Sequence, residues 1–291
     1  MLVEALQALK DWCDSVMFAT ELAERRAMEG GLPNVPTSGN SLPTDLLEWW
    51  KALFRVGLHG WYGLLPPEQG DDRSARQTPW TPPLCILVHL GWERIQASED
   101  MSRVVWIGPR CFPYPRVLVR EAQRDCRLLD RSLFIMAREA AARLWATDLC
   151  LRCPAVGAVI ADGSGFDMAA TRRVQLLARS RSKPVFLARP PWERTELSAA
   201  QSRWLVGWQP ADDSEQNVHG VNPRWSVKLL RCKGVPLDED HKVWVLEWDR
   251  AQSALHLSAP LSRPAGDATL ETTAPRHAAG SPREAPHRAS A

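Results

Sequence analysis

Apolar residues recur at helical spacing from the first residues of the chain. Leu2, Leu6, Leu9, Val16 and Met17 follow that period, and no Gly or Pro interrupts residues 2–27, which predicts a helix. Glu29-Gly30-Gly31-Leu32-Pro33 ends it. Residues 33–44 are rich in Pro, Ser, Gly and Asn and read as a loop or linker. Residues 45–65 turn apolar and aromatic. Leu46 to Trp50 fits a strand or a first helical turn, and Gly57, Gly60 and Gly63 at a period of three fit either a small-residue helix stripe or a loop. Residues 66–83 read as a turn-rich surface insertion.

From residue 84 the rhythm sharpens. Leu84–Leu90 reads as a strand or short buried segment, Arg103–Gly108 and Leu133–Met136 as strands, and 116–125 as a short helix or turn. Ala137–Cys153 is helical in pattern, with Ala141, Leu144, Trp145 and Leu149 on one broad face. Val156–Ala161 is an unbroken run of small or branched apolar residues that stops at Asp162, the signature of a buried parallel strand. Asp167 caps a helix over Met168–Ser180, where Ala170, Val174 and Leu177 share a face, and Pro184–Ala188 is the next strand. Strands separated by helical segments predict an α/β fold with a mainly parallel sheet and right-handed crossovers. In such sheets ligands sit at the carboxyl ends of the strands, so the loop Asp162-Gly163-Ser164-Gly165 is the candidate site.

The period then changes to two. Arg203–Trp208, Trp225–Leu229 and Val243–Trp248 read as strands of an antiparallel extension. The expected organisation is an N-terminal helical segment (1–32), a linker and irregular region (33–83), the α/β core (84–249) and a disordered tail (250–291), in which residues 262–291 hold no aromatic residue.

Composition narrows the function. The 291 residues are 45% hydrophobic, enough for one substantial core, and 14 are Trp. A net charge of +2 points to no partner, because nucleic-acid binding would need a local patch. Seven cysteines at irregular spacing in a chain of this size predict reduced thiols and a cytoplasmic protein. The first residues lack the basic region of a signal peptide, and no apolar run reaches membrane-spanning length.

An aspartate ending a parallel strand is how P-loop ATPases hold magnesium, but that chemistry also needs G-x-x-x-x-G-K-[ST]. The sequence has no Gly-Lys-Ser or Gly-Lys-Thr, and Gly39-Asn40-Ser41 lacks the lysine. A cradle of backbone amides could survive in Gly57–Gly63. Asp162 then reads as a vestigial nucleotide-site residue that bonds to loop amides with no cofactor expected, and the alternative is a chain that binds Mg-ATP through Asp162 or hydrolyses it weakly. Cys150 and Cys153 form a single C-x-x-C at a helix end, too few ligands for a zinc site and better read as packed side chains. Gly163-Ser164-Gly165 is not the G-x-S-x-G of a nucleophile elbow. Arg172 and Arg173 follow the candidate loop near a helix start, where the dipole disfavours cations, so they fit phosphate, an acidic partner or a solvated face. Arg189, Trp192, Arg194, Arg203 and Trp204 make an aromatic–basic cluster in sequence. Such a cluster suits single-stranded nucleic acid, a protein interface, or core tryptophans beside exposed arginines.

Several of these segments, in order, resemble the RecA-like ImuA family of accessory proteins in bacterial translesion DNA synthesis. They are V-V-W-I-G (104–108), L-L-D-R-S-L-F-I (128–135), R-L-W-A-T-D-L-C-L-R-C-P-A-V-G-A-V-I-A-D-G-S-G (143–165), D-M-A-A-T-R-R-V-Q-L-L-A (167–178), P-V-F-L-A-R-P (184–190), R-W-L-V (203–206), R-W-S-V-K-L-L-R-C-K-G (224–234) and W-V-L-E-W (244–248). The resemblance covers about residues 103–249. It implies a RecA-like, P-loop NTPase-type fold with helices on both faces of the sheet, and Asp162 in the Walker B position. It also implies that Leu46–Trp50 is the strand before a degenerate nucleotide loop. The function implied is a non-catalytic accessory role in SOS-type lesion bypass. The protein would contact an error-prone polymerase complex that includes a Y-family polymerase homologue, and with it the RecA filament or single-stranded DNA. The departure from an active ATPase is the missing lysine and Ser/Thr.

Overall fold

The structure is a computed structural model that describes residues 46–64, 80–97, 102–209, 222–235, 243–249, 252 and 254–257. The helix expected over 2–27, the 33–44 linker, most of the 66–83 insertion and residues 262–291 lie outside them.

The described chain begins with α1, Leu46–Leu53. Leu46, Trp49, Trp50 and Leu53 are buried at i, i+3, i+4 and i+7, a helical stripe, so the strand implied for Leu46–Trp50 is corrected to a helix. The strand comes next: β1, Gly57–Tyr62, is buried at every position. The glycine period of three belongs to neither a helix stripe nor a loop. Next comes α2, Leu84–Ala97, where the sequence suggested a strand. Residues 86–92 are all buried, and burial all round a helix erases the polar face that would have marked it.

The remaining elements match the sequence pattern more closely. They are β2 (Arg103–Ile107), a short helix α3 (Arg127–Asp130), β3 (Ser132–Ile135), α4 (Ala140–Arg152), β4 (Val156–Asp162), α5 (Met168–Ser180) and β5 (Pro184–Arg189). The last four strands are β6 (Ser202–Gln209), β7 (Arg224–Cys232), β8 (Val243–Asp249) and β9 (Ala254–Leu257). Asp167 does cap α5, accepting a hydrogen bond from the Ala170 amide at 2.7 Å.

All nine strands form one sheet in the order β3-β2-β4-β5-β1-β6-β7-β8-β9. Pairings from β3 through β6 are parallel, and β6–β7, β7–β8 and β8–β9 are antiparallel. The α/β class and the antiparallel extension are as the sequence indicates, and the sheet continues one strand past Asp249.

Two cores lie on the two faces of the sheet. One joins α4 and α5 to Val105, Val159, Val185 and Leu187. The other joins α1 and α2 to the opposite side chains and to β6–β9. The second core explains much of the tryptophan content. Trp61 of β1 sits in register with Trp204 of β6, and their rings stack at 5.5 Å with 13° between planes. Trp50 meets both edge-on, at 5.3 and 5.4 Å. Edge-to-face and offset-stacked rings are the favoured arrangements for large aromatic groups in a core.

Candidate functional site

The carboxyl ends of β2, β4, β5 and β1 converge on Asp162, which is wholly buried. A buried carboxylate needs compensation from hydrogen bonds or charge. Oδ1 accepts from the Ser164 amide at 3.0 Å and from the Ser164 hydroxyl at 2.6 Å, an Asx-type turn that holds the loop after β4. Oδ2 accepts from Nη1 of Arg110 at 3.2 Å. Arg110 lies in the turn that follows β2, the strand paired with β4.

A second guanidinium closes the site from α4. Nε of the buried Arg143 donates to the Asp162 carbonyl at 2.7 Å and stands 4.0 Å from Oδ1. Its Nη2 donates to the Ser164 carbonyl at 2.7 Å, and its Nη1 to the carbonyl of Arg138. Arg143 therefore ties both loops to the end of β4. Gly108 makes room for this: its φ is +90°, and a Cβ there would lie 2.9 Å from both Arg143 Cδ and Asp162 Cβ.

The end of β5 carries a parallel arrangement. The buried Arg189 donates through Nε to Glu193 at 2.7 Å and through Nη2 to the Phe166 carbonyl at 2.8 Å. Glu193 in turn accepts from the Gly165 amide at 2.9 Å. Burial pushes the Glu193 carboxyl up, against the opposing pull of Arg189 and that amide. The Gly163–Phe166 loop is thus pinned by Asp162 on one side and Arg189–Glu193 on the other.

The exit of β1 is closed as well. The Gly63 amide donates to the Arg189 carbonyl at 2.8 Å, and Leu64 and Thr81 exchange backbone bonds at 2.8 and 3.0 Å. A Cβ at Gly63 would lie 2.4 Å from the Thr81 carbonyl oxygen and 2.7 Å from the Trp80 ring. The amide cradle expected in Gly57–Gly63 is corrected: Gly57–Tyr62 are strand whose amides serve sheet pairing, and the Gly63 amide is taken by the Arg189 carbonyl. A magnesium nucleotide does not fit these residues. The ion would need the oxygens that Arg110 and Ser164 hold, and the phosphates would need the donors that the β1 exit uses internally.

The other sequence-derived candidates scatter. Arg173 donates to Asp148 at 3.0 Å, and Arg152 donates to the other oxygen of that carboxylate at 2.8 Å. Arg172 is exposed, with no partner among the described residues. Arg189 and Trp204 are 1% and 0% exposed and so leave the proposed contact surface: one is an internal ion pair, the other stacks in the core. Arg203 lies over the Tyr62 ring at 5.1 Å, bonds its hydroxyl at 3.0 Å and donates to the Arg194 carbonyl. Arg194 donates to the Pro191 carbonyl at 3.3 Å, and Trp192 is partly buried against the larger core. Cys150 is a free thiol, pushed by burial up to about 12, so it does not pair with Cys153. The residues that reasoning from sequence missed are Arg110, Arg143 and Glu193. No local motif marks them: the strand order brings Arg110 to Asp162, α4 brings Arg143, and the turn after β5 sets Glu193 four residues from Arg189.

No family model matches the chain. It is similar to the protein ImuA of two strains of Caulobacter vibrioides, at 29% identity over 140 residues, 45% of this chain and 56% of each relative. The chain thus spans about half the length of the curated relatives it matches.

Proposed function

We propose that this chain, a relative of the ImuA proteins, is a non-catalytic accessory protein of SOS-type, damage-induced translesion DNA synthesis. It acts in the cytoplasm through contacts with an error-prone polymerase complex that includes a Y-family polymerase homologue. The observation that carries the non-catalytic part is the pairing of Asp162 with Arg110 and Ser164, beside Arg143. In a RecA-like reading of the sheet, Asp162 stands in the metal-holding position, and here an arginine from the neighbouring strand supplies the positive charge. The sheet order supports that reading: β4 lies between β2 and β5, and β1 beside β5, so the Asp162 strand end lies one strand from the β1 exit.

Without nucleotide chemistry, function moves to surfaces. On α5, Met168, Arg172 and Leu176 follow one another at i, i+4 and i+8 and are all exposed, an apolar–basic stripe suited to a protein partner. The test is co-purification with the polymerase subunits. Capture that needs no ATP and falls when Arg172 and Leu176 are both replaced by Ala is the expected result. Absence of capture, where the polymerase subunits still recover one another, would refute the accessory role.

The alternative is an ATP-binding or weakly hydrolysing member of the RecA-like class, favoured by the position of Asp162 alone. A thermal shift with millimolar Mg-ATP, lost in an Asp162→Asn variant, would favour it. A third reading, a single-stranded DNA-binding module, rested on exposed arginine and tryptophan together. Burial of Trp204 removes its stacking platform.

A further inference from the structure

We infer that the amino edge of the sheet, opposite Asp162, is a docking surface for the phosphate backbone of nucleic acid. The sheet register assembles this edge from four separate segments. The Gly57 amide, at the start of β1, donates to the Lys183 carbonyl just before β5, at 3.0 Å. The Gln201 amide donates to the Leu58 carbonyl at 2.7 Å, and the Lys233 amide to the Gln201 carbonyl at 2.8 Å. Backbone bonds therefore link the ends of α5, β1, β6 and β7 in one line. Arg55 lies two residues before Gly57, Arg179 and Arg181 flank the end of α5, and Arg231 and Lys233 flank Cys232.

All five cations are exposed, and none has a carboxylate partner among the described residues. Their neighbours show what pairing looks like here. Arg152 and Arg173 share Asp148, and the Lys183 ammonium donates to the carbonyls of Leu151 and Cys153. Lys233 donates to the Ala199 carbonyl at 2.7 Å, which leaves its charge unopposed. Its ammonium is pushed down by burial first, and then by the like charges of Arg231 and Arg179. A patch of unopposed like charge repels itself until a counter-anion arrives.

The occupant follows from what the edge lacks. Protein interfaces are centred on aromatic or aliphatic anchors. Most large exposed apolar residues lie elsewhere: Tyr114 after β2, Phe134 and Met136 at β3, Trp145, Met168 and Leu176 within helices, and Trp208 at the far end of β6; near this edge, among the described residues, are only the aliphatic Leu197, two residues before Ala199, and Val243, at the start of β8. Base stacking on single strands needs exposed aromatics, and this edge has none among the described residues. Five cations with no aromatic anchor or stacking platform fit the backbone of a duplex, read without sequence preference. This surface is independent of the accessory reading and of the Asp162 site.

The test is fluorescence anisotropy of the full chain with a labelled DNA duplex, across about 50 to 200 mM salt. Four or five phosphate contacts predict a slope of log affinity against log salt of about −4, and so about a 250-fold loss of affinity over that range. The Arg179→Glu/Arg181→Glu/Arg231→Glu variant should bind at least tenfold more weakly at low salt, with a slope shallower by about three. The corresponding Gln variant keeps the fold under less electrostatic load and should fall between the two. Arg116→Ala, in the turn after β2 and paired with Glu121, should bind as the parent does. Equal binding by parent and Glu variant would overturn the proposal, as would binding of polyglutamate with no binding of the duplex. Capture of the polymerase complex should be unchanged in the Glu variant.

Discussion

Arg110 donates a hydrogen bond to the wholly buried carboxylate of Asp162 across 3.2 Å, from the turn that follows the neighbouring strand. One partner is fully buried and the other about half exposed, so the two are not equally replaceable. Removing Asp162 leaves the buried Arg143 and the Ser164 turn without their anion, and Asp162→Ala should lower stability by about 3–5 kcal/mol. Removing Arg110 takes away a half-exposed charge, and Arg110→Ala should cost only about 1 kcal/mol. Urea denaturation of both variants checks this asymmetry. A larger loss at Arg110 than at Asp162 would contradict it.

Gly108 should tolerate no side chain. Its φ of +90° and the two 2.9 Å approaches to Arg143 and Asp162 act together. Gly108→Ala should destabilise by about 2–4 kcal/mol, as the sum of backbone strain and overpacking. A Gly108→Ala protein with unchanged urea midpoint would show that Arg143 and Asp162 do not hold this arrangement.

The Trp61–Trp204 pair should behave as one unit. Either residue replaced by Ala should cost about 3–5 kcal/mol. The double variant should cost less than the sum, with a coupling of about 0.5–1.5 kcal/mol for the ring pair. A double-mutant cycle with no coupling would place the stabilisation in burial alone.

These tryptophans also show where sequence reading succeeds and stops. Val156–Asp162 was legible because a strand buried on both faces is apolar at every position, with nothing polar until its end. The α5 helix was legible through Asp167 and its one-sided face. For Leu46–Trp50 the helical alternative holds, whereas Gly57–Tyr62 was misread because the glycines of β1 mimic a loop, although Leu58, Trp61 and Tyr62 fill the interior between them. The α2 helix was misread because its buried run from Ile86 to Trp92 has no polar face to set its period. At the site, Asp162 stood out from the chain alone. Arg110 and Arg143 did not, because their proximity depends on β2 and β4 being neighbours and on α4 crossing over them. Arg189 looked like a surface residue by type and Trp204 was open between surface and core, and only their burial assigns both inside.

Two buried histidines make stability depend on pH. Burial holds His59 at about 3, and burial assisted by Arg120 holds His89 at about 3, both well below the usual 6.5. The folded chain therefore binds fewer protons than the unfolded chain between pH 6.5 and about 3. Their contribution to stability is complete above pH 6.5 and is lost as pH falls, at about 1.4 kcal/mol per pH unit for each residue. His59 packs against Phe54 at 4.7 Å and bonds Ser202 at 2.8 Å. His59→Gln should remove about half of this histidine-dependent slope in denaturation midpoints measured from pH 7 to pH 5. An unchanged slope would mean that His59 is solvated.

The claim that Asp162 is neutralised from within, and no longer recruits a magnesium nucleotide, is tested most directly by isothermal titration of the full chain with Mg-ATP at millimolar concentration. The arrangement of Arg110, Ser164 and Arg143 predicts no saturable heat, in the parent and in an Arg110→Ala variant alike, because the exit of β1 offers no phosphate cradle. Saturable binding by the parent chain that disappears in Asp162→Asn would contradict it.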